Sequence, residues 1–149
     1  MTTNHYQEIL LSELQKLEEE ITSFPEEPLL WKIKGEIKNS AGNLCLHLCG
    51  NLQHYIGATL GKTGYVRNRD AEFSTKNIAR KKLIEEIGHA KRAVENTLHS
   101  ISFADLQKIY PQNFIGKEVN TEYFLIHLIS HFDYHLGQIN YLRRMMLKS

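Results

Sequence analysis

Residues 127–138 read His-Leu-Ile-Ser-His-Phe-Asp-Tyr-His-Leu-Gly-Gln, with histidines at positions 127, 131 and 135. The stretch lies inside a helical pattern that starts near Asn120 and ends among Arg143, Arg144 and Lys148. Glu122 in the first turn and the basic residues in the last are the charges that a helix dipole favours. On a helix each residue turns about 100°, so His131 lies about 40° round the axis from His127, and His135 about 40° further. All three imidazoles therefore share one face. Two histidines at i, i+4 can chelate one divalent ion, as in the zinc-protease helix motif.

Three further stretches carry a helical period. In residues 4–24 the apolar positions Ile9, Leu10, Leu14, Leu17, Ile21 and Phe24 form a stripe that Pro25 and Pro28 close. A second helix is expected from the N-cap candidates Asn39 and Ser40 to about residue 60, ended by Gly61 and Gly64. Gly42, Gly50 and Gly57 within it each cost about 1 kcal/mol of helix propensity against Ala, which is explicable if another helix packs closely there. A third is expected from a cap at Ser74 to about Ser100, burying Ile78, Leu83, Ile87, Val94 and Leu98. Between them, residues 26–39 are a connector in which Leu29, Leu30 and Trp31 lid one end of the core. Residues 113–119 of the connector 101–120 can be extended and pair with residues 31–37.

These elements imply an all-α protein, a four-helix bundle over residues 1–149 as a single domain. The linker 61–73 is long enough to run back along the bundle, which allows a crossover between helices two and three. With 149 residues the chain can bury a core without staples. Lys plus Arg number 18 and Asp plus Glu 17, a net charge of +1, which gives no electrostatic case for nucleic acid or an anionic membrane. No apolar run approaches the roughly 20 residues of a membrane helix. The first residues lack the basic and apolar regions of a secretory signal, so the cytoplasm is the expected location. Cys45 and Cys49 are the only cysteines and form no disulfide framework.

A two-histidine clamp needs a third ligand from a neighbouring helix. The second helix offers His47 and His54, seven residues and hence about 20° apart. If it runs antiparallel to the last helix, His47 comes level with His131 and His135, and His54 with His127. The expected metal ligands are then His47, His131 and His135, with His54 and His127 adjacent to the site or simply core residues. Three neutral imidazoles suit Zn²⁺, Ni²⁺, Fe²⁺ or Cu²⁺ and leave a position open for water or substrate. Asn51, one turn beyond His47, and Gln138, seven residues after His131, can orient a ligand or satisfy each other. Arg67 and Arg69 in the linker can grip an anion, or can pair with Asp70 and Glu72 to pin the linker across the bundle. His5, His89 and His99 read as surface residues, and Cys45 and Cys49 as small packing residues about 200° round the helix from His47. Tyr134, Tyr141, Met145 and Met146 suit bundle packing or a dimer face. Serine-protease order, phosphate loops, Rossmann fingerprints and the paired Glu-x-x-His of di-iron bundles are all missing.

The run His131-Phe-Asp-Tyr-His135-Leu-Gly137-Gln138, with His47-Leu-Cys-Gly50-Asn51 upstream, resembles the DinB-like superfamily. The segment 64–73, Gly-Tyr-Val-Arg-Asn-Arg-Asp-Ala-Glu-Phe, is similar to an uncharacterised subfamily of it. The resemblance implies a four-helix bundle with a crossover, a homodimer, and a divalent ion on His47, His131 and His135; the ion expected is Zn or Ni ahead of Fe. It also implies a possible activity: some relatives are metal-dependent transferases or isomerases that use small thiols. The expectation is thus a metal-binding protein, either a thiol transferase or hydrolase, or a non-catalytic bundle in which the metal serves stability or dimer contacts.

Overall fold

A computed structural model of the chain describes residues 4–113 and 115–147. It is all-helical, and no strand forms among the described residues. In chain order the helices are α1 (Asn4–Ser23), α2 (Ala41–Leu52), α3 (Arg69–Ser74), α4 (Arg80–Leu98), α5 (Phe103–Gln107) and α6 (Thr121–Met146). A 3-10 turn at Glu27–Trp31 follows α1, and a π-helical stretch, Gln53–Ala58, continues α2.

The four long helices enclose one apolar core. Leu10, Leu14, Leu17 and Ile21 of α1 are fully buried with Leu83, Ile87, Ala90, Val94 and Leu98 of α4, while Ile9 is left exposed. Residue pairs give the directions. Lys91 meets Gln15 and Glu18, and Arg80 meets the carbonyls of Thr22 and Phe24, so α1 and α4 are antiparallel. Tyr6 meets Glu122 and Glu20 meets Asn140 and Arg143, so α1 and α6 are parallel. His47 against His131 and Tyr55 against Phe124 make α2 and α6 antiparallel. Gln53 with Glu86 and Gly57 with Ala93 make α2 and α4 parallel. Two consecutive long helices that run the same way need a connection that travels back along their length, and residues 59–79 supply it.

Several local expectations are met. Ser40 caps α2 by accepting from Asn43 N, and α6 starts beside Asn120 as expected, with Asn120 accepting from Tyr123 N. Leu30 is buried, with Leu29 and Trp31 packed on the core. The helix-three start is different. Ser74 ends the short α3, which Asn68 caps, and α4 begins only at Arg80. The cause is tertiary: Asn43 Nδ2 donates to the carbonyls of Glu72 and Thr75, the Trp31 indole donates to Ile78 O, and Asn77 is left-handed at φ 61°. A helix through residues 75–79 would need those carbonyls for itself. Ile78 is consequently packed on the core from outside α4.

The extended pairing of residues 113–119 with 31–37 is not found among the described residues; the second connector instead forms α5 and one bridge, Ile109 to Asn120. Phe114 and Lys148 lie outside the described residues. The glycines of α2 are also only partly as expected. Gly57 faces Ala93 of α4, but Gly42 lies under the Trp31 ring and Gly50 under the carboxylate of Glu72.

Candidate metal centre

Helices α2 and α6 bring His47, His131 and His135 together. One ring nitrogen from each lies within 4.8 Å of the others, the only such group of three metal-ligating side chains among the described residues. His47 is buried, and the other two are half-buried. The Nε2 atoms of His47 and His131 are 3.2 Å apart. Nitrogen ligands at about 2.0–2.1 Å in a tetrahedron are about 3.3–3.4 Å from one another, so this spacing fits a shared ion.

Protonation fits as well. Glu72 Oε1 lies 3.0 Å from His47 Nδ1, and Gln138 Oε1 lies 2.7 Å from His135 Nδ1. Both oxygens are acceptors to which an Nδ1–H can donate, an arrangement that leaves Nε2 for a ligand bond; Arg67 Nη2 also lies 3.3 Å from His47 Nδ1. His131 has no such partner: among the described residues its buried Nδ1 makes no hydrogen bond. Burial, then the neighbouring charges of His135, His47, His127 and Arg67, pull its pKa down to about 4. Burial also lowers that of His135, against the hydrogen bond to Gln138. Both rings are therefore neutral at pH 7, the state a metal ligand requires.

Glu72 comes from α3 in the crossover and is buried. Arg67 Nε donates to its Oε2 at 2.8 Å and Arg67 Nη2 to its Oε1 at 3.0 Å, a two-pronged ion pair. Burial alone pushes this carboxyl up, but the hydrogen bonds from His47 and Arg67 and the charge of Arg67 outweigh it and hold the pKa below the ordinary glutamate value. The ring of Phe73 lies 4.9 Å from that of His47, and Arg69 stacks over Phe73 at 5.2 Å. Exposed Tyr134 packs edge-on to His135 at 5.3 Å.

The other sequence candidates divide. Gln138 touches a histidine of the cluster, whereas Asn51 is buried with no hydrogen bond to any of the three. His54 and His127 are not in the convergent set: His54 stands edge-on to Tyr55 at 4.6 Å, and His127 stacks on Phe124 at 5.8 Å. Seven residues put His54 about 10 Å along the axis from His47, too far to share an ion. Arg67 pairs with Glu72, as the linker-pinning alternative has it, and Arg69 is held by a ring rather than a carboxylate.

Two participants were missed in the sequence. Glu72 was read as a partner for the arginines and not for His47, from which 25 residues separate it. A glycine in mid-helix three residues after His47 was the available signal, since it marks a close approach on the face next to the ligand. Phe73 carried no signal.

A model of one protein family matches residues 3–149. The chain belongs to the family described as "Protein of unknown function (DUF1572)". Both helices that carry the three histidines, and the crossover that carries Glu72, lie inside the match. No curated protein matches the sequence. In this DUF1572 member a cleft of about 290 Å³ opens beside His135 and Gln138. Leu44, Ile37, Leu142 and Met145 give it apolar walls, and Lys38 and Tyr141 stand at its side. Among the described residues no helix is long and apolar enough to cross a membrane.

Proposed function

We propose that this is a metal-dependent enzyme of the DinB-like kind, a single four-helix-bundle domain holding a divalent ion, zinc or nickel, on His47, His131 and His135. The observation that carries the reading is the pair of Nε2 atoms 3.2 Å apart, with Glu72 and Gln138 committing the Nδ1 atoms of His47 and His135 elsewhere. When bound, such an ion supplies a Lewis acid that lets a thiol or water shed its proton near neutral pH. Among the described residues the cluster has no separate base for that step beside it. Three protein ligands leave room for the incoming group, the pattern of catalytic rather than structural zinc.

The residues around the cluster have plain tasks. Glu72 and Gln138 hold two imidazoles in orientation, Phe73 and Tyr134 shield the flanks from water, and the cleft beside His135 receives the substrate. Thiol transfer or hydrolysis is the reaction class that this suits.

The test is elemental analysis of protein purified without a metal-affinity tag, repeated on His131→Ala. One equivalent of metal in the native chain and none in the variant supports the site; equal content in both removes it. Transfer of cysteine, glutathione or bacillithiol to an electrophile by the loaded protein, absent from the variant, then supports the thiol reaction.

One observation favours a second task for the bundle. Tyr123, Ile126, Tyr134, Tyr141 and Met145 are exposed along α6, a face suited to a second copy of the chain. A homodimer in which the ion serves only stability would show unchanged association, and no turnover, on metal loading.

A further inference from the structure

The crossover does more than connect α2 to α4. Asn43, His47 and Gly50 stand at i, i+4 and i+7, one face of α2. All three engage the same residue. Asn43 Nδ2 donates to the backbone carbonyl of Glu72 at 2.9 Å, and His47 Nδ1 lies 3.0 Å from its Oε1. Gly50 leaves the space that its Oε2 fills: a Cβ there would overlap Oε2 and lie 2.7 Å from Cδ. Arg67 holds the carboxylate with two hydrogen bonds, and its Nη2 lies 3.3 Å from His47 Nδ1. A carboxylate fixed at backbone and side chain by four residues is not a general surface charge.

We infer that Glu72 is a positioning residue for His47: its buried carboxylate, seated in the Gly50 notch and aimed by Arg67, fixes the imidazole as the Nδ1–H form with Nε2 turned toward His131 and His135. This rests on the metal reading for its purpose, but the tautomer itself is a property of the metal-free protein. A free imidazole favours the Nε2–H form, which would place a proton where the ligand bond must go. The buried acceptor at Nδ1 reverses that preference. Outer partners of this kind change metal affinity by about 10- to 100-fold when removed.

Removing one member of a buried ion pair can unfold a protein, so the test replaces both. In the full chain, Arg67→Met with Glu72→Leu keeps volume while deleting the acceptor and both charges. Nitrogen-15 NMR of the metal-free protein at neutral pH reads the His47 tautomer, and competition with a chromophoric chelator reads zinc affinity. The expected result is Nδ1–H in the native chain, predominantly Nε2–H in the double variant, and a loss of zinc affinity of about 10- to 100-fold. Gly50→Ala changes no hydrogen-bonding atom and improves helix propensity, yet it should shift His47 and zinc affinity in the same direction. An unchanged His47 tautomer and zinc affinity within twofold of native in both variants would overturn the inference. A native chain that takes up no zinc would remove the metal reading, and the tautomer measurement would still decide the Glu72 link.

Discussion

The α1–α4 seam and the α2–α6 face lie in the same molecule and are built on opposite rules. Across the seam, Leu10, Leu14, Leu17 and Ile21 meet Leu83, Ile87, Ala90, Val94 and Leu98, all fully buried. Any apolar residue of similar volume would serve there. The α2 side instead buries Ser40, Asn43, His47 and Asn51 among its leucines and cysteines. Such polar groups cost free energy unless they find partners with defined geometry. Stability is thus concentrated in the seam, and specificity on the α2–α6 face.

Leu17→Ala should have the largest effect on stability. A fully buried leucine in the seam is expected to cost about 2–5 kcal/mol in denaturant unfolding, with metal stoichiometry unchanged in the folded fraction. A metal-binding defect without loss of stability would break the division between the two regions. Next comes Asn43→Ala, which removes hydrogen bonds to Glu72 O and Thr75 O and the acceptor for Ser40 and Lys76. Leaving such groups unsatisfied should cost about 1–3 kcal/mol by the same measurement. His131→Ala should abolish metal uptake while changing metal-free stability by no more than about 1 kcal/mol, since its half-buried ring has no hydrogen bond at Nδ1. A larger loss would mean that the histidine cluster is itself part of the structural core.

The smallest effect belongs to neither region. At the start of α5, Ser102 and Asp105 form a reciprocal capping box, and the backbone and side-chain hydrogen bonds of Ser102, with one from Lys108, hold the Asp105 carboxyl at about 2. Its folded value lies below the unfolded one, so its contribution is complete above about pH 4 and disappears as pH falls toward 2. Melting temperature followed from pH 5 to pH 2 should therefore decline less steeply in Asp105→Asn than in the native chain.

Periodicity made the seam legible. The leucine stripes of α1 and α4 identify both helices and their buried faces, because burial there depends only on spacing and hydrophobicity. The cap at Ser40 and the start of the last helix near Asn120 were equally legible, since a cap acts within three residues. Legibility failed where distant residues decide local structure. Ser74 has the chemistry of a cap, but the carbonyl of the next residue, Thr75, is taken by Asn43, so the helix it was expected to start begins six residues later. Gly50 was read as room for a helix when it is room for one carboxylate. The three converging histidines could be found from four-residue spacing and an antiparallel partner. The acceptor behind His47 could not, because no local pattern connects it to a residue in the crossover.

The grip of Asn43 on the carbonyls of Glu72 and Thr75 has a further consequence for how the molecule opens. Connecting segments ordinarily exchange their amide hydrogens through small local fluctuations, long before the core does. Here residues 72–76 cannot lift away without breaking bonds to the first turn of α2, which is buried. The slowest opening of the crossover is thereby tied to the opening of α2. In hydrogen exchange this stretch should behave as part of the α2 cooperative unit, and the exposed connector at residues 61–64 as a loop.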